Sequence, residues 1–212
     1  MKVLRLTLIG IITLLIASCE FTQPENHTYV DLGLSVNWAT CNIGADKPED
    51  AGDYFAWGEV YSSNGTIDGY KWYDDINPEV SYISKYNPKE DNKITLETSD
   101  DVARRKWGYE WRMPTLSEME ELVAKCTWNF TNRNGVPGYN VIGPNGNSIF
   151  LPMSGHVDLS QKHYVGHSGF YWTSSLYKGD CNKSYSLRFT SSDNYVTYIE
   201  RYIAQTVRAV RP

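Results

Sequence analysis

Hydrophobic and polar positions change regime several times along this chain. Leu6 to Ile16 is an apolar run behind Lys2 and Arg5, and Glu20 to Thr28 is polar, contains Pro24 and follows neither helical nor strand period. From Tyr29 to Thr40 two extended pieces flank Gly33, and Val36 and Trp38 share a face at period two. Asn42 to Asp53 reads as a turn-rich connection and Tyr54 to Gly58 as a buried strand or extended segment. Tyr61 to Ser99 is long, polar and aromatic without a period, and such a stretch inside a compact domain is usually functional or locally disordered.

Two helices are well signalled next. Ser99 or Asp100 is placed to cap the first, with acidic residues in its first turn and Gly108 as its stop after Trp107. The second starts after Pro114, where Thr115 and Glu118 form a capping box whose cap contributes roughly 1 kcal/mol. Leu116, Met119, Leu122, Val123 and Cys126 fall on one face of it, and Glu120, Glu121 and Lys125 on the other. The period then becomes strand-like. Trp128 and Phe130 alternate, Arg133-Asn134-Gly135 is a turn, and Tyr139 to Ile142 and Ser148 to Leu151 bracket Pro144-Asn145-Gly146-Asn147 as a hairpin. Ser154 to Ser168 reads as a second polar excursion, and strands are expected at Gly169 to Ser174, Ser184 to Phe189, Tyr195 to Ile199 and Thr206 to Val210. The expected class is α+β, loop-rich, with one domain over residues 29–212.

The first apolar run is well short of the about 20 residues a spanning helix needs. It ends in Ile16-Ala17-Ser18-Cys19, which resembles a bacterial lipobox. Residues 1–18 are thus expected to be a signal peptide and Cys19 the lipid-bearing residue, with residues 19–28 as lipidated end and tether reaching about 30 Å at most. Glu20, rather than Asp, after the anchor points to the outer membrane of the cell envelope. Without residues 1–18 the chain has 18 Lys and Arg against 25 Asp and Glu, a net charge of −7 that disfavours nucleic acid. Lipidation leaves three thiols, so Cys41 with Cys126 is a candidate disulfide, against two small buried hydrophobes.

At Trp107-Gly108-Tyr109-Glu110-Trp111-Arg112-Met113-Pro114-Thr115 the chain resembles the Fibrobacter succinogenes major paralogous domain. Four other segments carry the same resemblance: residues 29–36, residues 38–45, Gly169-Phe170-Tyr171-Trp172-Thr173-Ser174-Ser175, and Val207-Arg208-Ala209-Val210-Arg211-Pro212. That family is similar to the C-type lectin-like fold, which implies two helices flanking a twisted antiparallel sheet, chain ends close together and long ligand-carrying loops. Trp107, Trp111, Tyr171 and Trp172 are expected in the core, and Arg112 is expected to tie strand or terminus in place. A fold does not fix a function.

Catalytic patterns are sparse. The fold is also used by formylglycine-generating enzymes, which need a cysteine pair near its end, where this chain has only Cys181. His156, His163 and His167 lie in a Gly- and Ser-rich stretch without helical pattern, so no metal site is assigned. No cofactor is expected. Asp74-Asp75 offers oxygen ligands for calcium but equally reads as a solvated turn, and Asn77-Pro78-Glu79 only echoes the calcium-lectin motif. The leading reading is a non-catalytic recognition module for a glycan or protein, with a structural component of a surface assembly or adhesin as the alternative and, behind it, an oxidoreductase like the formylglycine-generating enzymes that would need a reactive Cys181. Two aromatic and polar patches qualify: Trp57 to Tyr86, and a preferred later one of Tyr164, Tyr177, Lys178, Asp180, Asn182, Asp193, Asn194 and Tyr195 with His163.

Overall fold

The structure, a computed structural model, describes residues 27–74 and 82–212. Cys19, the expected signal peptide and most of the expected tether lie outside the described residues, as does Asn77-Pro78-Glu79. In chain order the elements are β1 (Tyr29–Val30), β2 (Asn37–Ala39), β3 (Tyr73–Asp74), β4 (Tyr82–Ile83), α1 (Val102–Trp107), α2 (Leu116–Lys125), β5 (Thr127–Arg133), β6 (Val136–Ile142) and β7 (Ser148–Pro152). There follow β8 (His156–Asp158), β9 (Gln161–His163), β10 (Gly169–Leu176), β11 (Lys183–Phe189), β12 (Asn194–Glu200) and β13 (Val210–Arg211). The protein is mixed α+β, with few helices and several antiparallel sheets. Among the described residues no helix is long and apolar enough to cross a membrane.

The sheet β10-β11-β12 divides the interior in two. Alternation along β10 sends Tyr171 to one side and Trp172 to the other. On Tyr171's side, Leu187, Phe189 and Val196 pack with Met119 and Leu122 of α2. On Trp172's side, Trp57, Tyr70, Trp72, Tyr86 and the α1 residues Val102, Ala103 and Trp107 form the second core. Trp172 Nε1 donates to the Phe55 carbonyl at 2.8 Å and Tyr171 Oη to the Pro152 carbonyl at 2.8 Å, so each ring is packed and its polar atom satisfied.

The chain ends meet through β1-β2-β13, where Trp38 lies opposite both Val30 and Val210. Arg208 cements this region: its buried guanidinium donates to Asn42 Oδ1 and to the carbonyls of Ala39, Thr40 and Phe150. Arg112 forks onto Glu118, whose carboxylate also accepts from the Thr115 amide, so the capping box and the strand lead-in share one acid.

Several expectations need correction. Asp101, not Ser99 or Asp100, caps α1, accepting from the Ala103 and Arg104 amides, and no acid lies in the first turn. Asp101 wins because the same carboxylate also accepts from the Met113 amide at 2.9 Å, a tertiary contact the local sequence does not show. Asp100 instead accepts from Lys71, Lys85 and Tyr86. Residues 54–58 form the extended one of the two expected alternatives, a buried segment with one bridge, Phe55 to Gln205, whereas residues 206–210 yield only the start of β13. The 154–168 excursion contains the hairpin β8–β9, with His156 and Val157 buried. His27 stacks on Trp107 at 3.9 Å and Thr28 bonds Thr40, so these two residues belong to the domain and not to a tether. Cys41, Cys126 and Cys181 are free thiols, which removes the Cys41–Cys126 bridge: Cys41 sits beside Thr40 at the chain-end sheet, whereas Cys126 closes α2.

Candidate functional site

Chain entering the 61–99 excursion is pinned across the ends of β11 and β12 by one buried arginine. Arg201, 1% exposed, donates from Nε to Tyr70 Oη at 2.8 Å, and its terminal nitrogens donate to the Lys85 and Cys181 carbonyls. Tyr70 in turn donates to the Trp57 carbonyl at 2.9 Å. The guanidinium lies 4.7 Å from the Trp57 ring centroid and 5.5 Å from that of Trp72, with Tyr70 and Tyr86 completing the frame. Among the described residues no carboxylate pairs with it; carbonyl dipoles and ring faces stabilise the charge. Burial lowers the pKa of Arg201 and raises that of the Tyr70 phenol, so the contact is a hydrogen bond between a cation and a neutral phenol.

This pinning turns most of the first predicted patch into core. Trp57, Tyr70, Trp72 and Tyr86 are buried. Tyr73 is only partly buried, however, and with Ile67 and Ile83 it faces the 180–183 loop across a pocket of about 280 Å³. The opposite wall is Asp180, Asn182, Lys183, Glu200 and Tyr202, with Tyr70 and Arg201 also lining it. The two patches read separately from sequence therefore meet in one cavity. Its size lies just below the range of about 300–1,000 Å³ that holds drug-sized ligands, so it suits one sugar ring or one side chain.

The polar wall is preset. Asp180 accepts from the Asn182 amide at 3.0 Å and from Asn182 Nδ2 at 2.9 Å, an Asx turn that fixes both side chains. Burial works against the Asp180 charge, but the Asn182 bonds and Lys183 outweigh it and hold the carboxyl below its usual range. Lys183 Nζ sits 3.6 Å from Asp180 and 3.7 Å from Glu200. Those pairs are long enough to leave carboxylate lone pairs for other donors. Counting Arg201, the lining charges cancel.

Beside the pocket lies an aromatic platform. Tyr177 and Tyr198 stack with ring centroids 3.8 Å apart and planes 7° from parallel, and Tyr185 meets Tyr177 edge-on at 5.5 Å. Tyr185 and Tyr198 are cross-strand partners, two positions along from the Lys183 and Glu200 pair and so on the same face. That face is covered by α2 over Leu187 and Val196 but open at the tyrosines.

Of the preferred residues, Tyr177, Asp180 and Asn182 come together here. Lys178 is exposed in the adjoining turn and does not line the pocket. Asp193, Asn194 and Tyr195 lie at the other end of the β11–β12 hairpin, where Asp193 bonds Thr190 within the turn, and Tyr164 sits by the β8–β9 hairpin near Phe170. The single late patch is thus split, because a seven-residue strand separates its halves by about 20 Å. Lys183, Tyr185, Tyr198, Glu200, Arg201 and Tyr202 were missed; the strand alternation of Tyr185 and Tyr198 was the available signal. His156 and His163 are cross-strand partners with rings 5.6 Å apart, and among the described residues no group of three or more His, Cys, Asp or Glu is placed to hold a metal.

The chain matches no family model, no curated protein and no solved structure.

Proposed function

We propose that this chain is a non-catalytic recognition module of the cell envelope, held to the outer membrane by lipid on Cys19, which binds a neutral glycan in the pocket between Tyr73 and Asp180. The observation that supports the reading is the composition of that pocket: aromatic walls from Tyr73 and Tyr202, acceptors from Asp180 and Glu200, donors from Lys183, and, with Arg201, no net charge. A sugar ring needs this mixture, an apolar surface for its C–H face and paired polar atoms for its hydroxyls. The neighbouring Tyr177–Tyr198 stack extends the binding surface for a second ring. A C-type lectin-like arrangement is consistent with two helices contributing to opposite cores of the central sheet and with chain ends that pair.

A glycan array probed with the purified domain tests the reading. Binding of neutral oligosaccharides that falls at least tenfold in Tyr73→Ala and in Asp180→Ala supports it. Undiminished binding in both variants rejects the pocket, and a stoichiometric protein partner from crosslinked membranes with no glycan binding favours a structural role in a surface assembly. Labelling of cells with a palmitate analogue, lost in Cys19→Ala, tests the anchor separately.

A further inference from the structure

Arg188 differs from the other arginines of the late strands. Arg201 and Arg208 are capped by carbonyl, amide and hydroxyl oxygens, and Arg112, Arg133 and Arg211 each reach a carboxylate. Arg188 has neither an acid nor a hydrogen-bond partner among the described residues; its Nε is sealed from solvent and unpaired. The side chain is half-buried, and its terminal nitrogens are open to solvent. A structural arginine buried this far is normally satisfied, and an unpaired one calls for an explanation.

Its setting is aromatic. The guanidinium carbon lies 5.5 Å from the Phe170 ring centroid, and Phe170 and Tyr195 are its two cross-strand partners, one on each side. Tyr195 is 39% exposed and Tyr164, 6.3 Å from Phe170, is 58% exposed. Tyr164 holds φ at 57°, a left-handed conformation that a residue with a side chain adopts at a cost. His156, 9% exposed and 4.8 Å from Phe170, adds a second buried nitrogen without a partner, Nδ1. Alternation along β11 puts Arg188 on the face opposite Lys183, about 17 Å along the strand. This cluster is therefore distinct from the pocket at Asp180.

From this geometry we infer a second binding site, in which the Arg188 guanidinium receives the carboxylate of an acidic sugar while Tyr164 and Tyr195 flank its ring. The open terminal nitrogens match a carboxylate as a planar fork, and the phenylalanine beneath keeps the charge in place without neutralising it. Cross-strand neighbours stand about 4.8 Å apart, so an anion seated on Arg188 brings its attached ring against the tyrosine on the next strand. A pyranose carries a C–H face for that contact. Two of the residues singled out in the sequence, Tyr164 and Tyr195, find their use here and not at the pocket.

Titration calorimetry with an oligogalacturonate, against the corresponding neutral galactose oligomer, tests the site in the full domain. The acidic oligomer is expected to bind at least tenfold more tightly at this site, to weaken with added salt, and to lose binding in Arg188→Met, a variant that keeps the packing over Phe170. Arg188→Lys is expected to recover only part of the affinity, and Tyr73→Ala, at the other pocket, to leave it unchanged. Because Arg188 has no hydrogen-bond or ion-pair partner to lose among the described residues, and Met keeps an apolar contact over Phe170, Arg188→Met should melt near the wild-type temperature, which separates loss of binding from loss of fold. Equal binding of acidic and neutral oligomers, undiminished binding in folded Arg188→Met, or binding of an acidic peptide with none of the oligogalacturonate would overturn the assignment.

Discussion

Arg201 Nε and Tyr70 Oη are 2.8 Å apart, and this bond, with the guanidinium packed against the Tyr70 and Trp72 rings, ties the 67–73 segment to the ends of β11 and β12. It builds the pocket, because Tyr73 and Asp180 come from segments about a hundred residues apart in the chain and face each other only when the excursion is closed.

Tyr70→Phe should therefore cost about 1.5–3 kcal/mol, the usual penalty for removing the partner of a buried charged donor. The Trp57 carbonyl loses its donor in the same step. Urea unfolding measures this, and the variant should also lose ligand affinity while its far-ultraviolet spectrum is unchanged.

Asp101→Ala should destabilise the domain by more than an ordinary cap, which costs about 0.5–2 kcal/mol. The carboxylate serves α1 at Ala103 and Arg104 and the Met113 lead-in to α2 together. Asp100→Ala leaves the cap intact, so hydrogen exchange at the first turn of α1 should rise only in the Asp101 variant.

Mild acid should loosen the β8–β9 hairpin. Burial lowers the pKa of His156, His163 and Arg188 add to the effect, and Asp158 opposes it. A folded pKa below the unfolded value of about 6.5 means that the neutral ring is preferred in the fold. The associated stability is complete above pH about 6.5 and is lost as pH falls below it. Amide protection factors in residues 156–163, corrected for the intrinsic exchange rate at each pH, should fall from pH 7.5 to 5.5, and His156→Gln should flatten that dependence.

A second acid transition should follow lower down. Glu121 is held at about 2 by Lys125 and Ser35. Its folded pKa is depressed, so its contribution is present above about 4.5 and disappears as pH falls toward 2. Glu121→Gln should remove part of the slope of stability against pH in that window.

Thiol chemistry reports directly on the three free cysteines among the described residues. Burial pushes the Cys126 thiol up to about 11, so it should label far more slowly than a free thiol at pH 8, and mass spectrometry of native protein should show no Cys41–Cys126 bridge.

The legible parts of the sequence were those whose cause is local. Thr115 and Glu118 announce α2 because the capping box closes within one turn. Asn134 and Gly135 announce the β5–β6 hairpin because φ of 50° and 87° favours those residue types. Tyr171 and Trp172, adjacent large rings with one polar atom each, were expected in the core and are fully buried. What the sequence hid depends on long-range partners. Asp100 and Asp101 are neighbours of the same chemistry, and only Met113, Lys71 and Lys85 decide which one caps. The candidate pocket was half visible, since Asp180, Asn182 and Tyr73 sit in polar aromatic stretches, but their meeting depends on Arg201, whose sequence context gives no sign of burial among four rings.

The most direct test of the central claim is an amide and side-chain NMR map of the domain titrated with a neutral oligosaccharide that binds it. Shifts are expected to concentrate at Tyr73, Asp180, Asn182, Lys183 and Tyr202, with a second group at Tyr177 and Tyr198. Saturable binding that shifts none of these residues would contradict that claim.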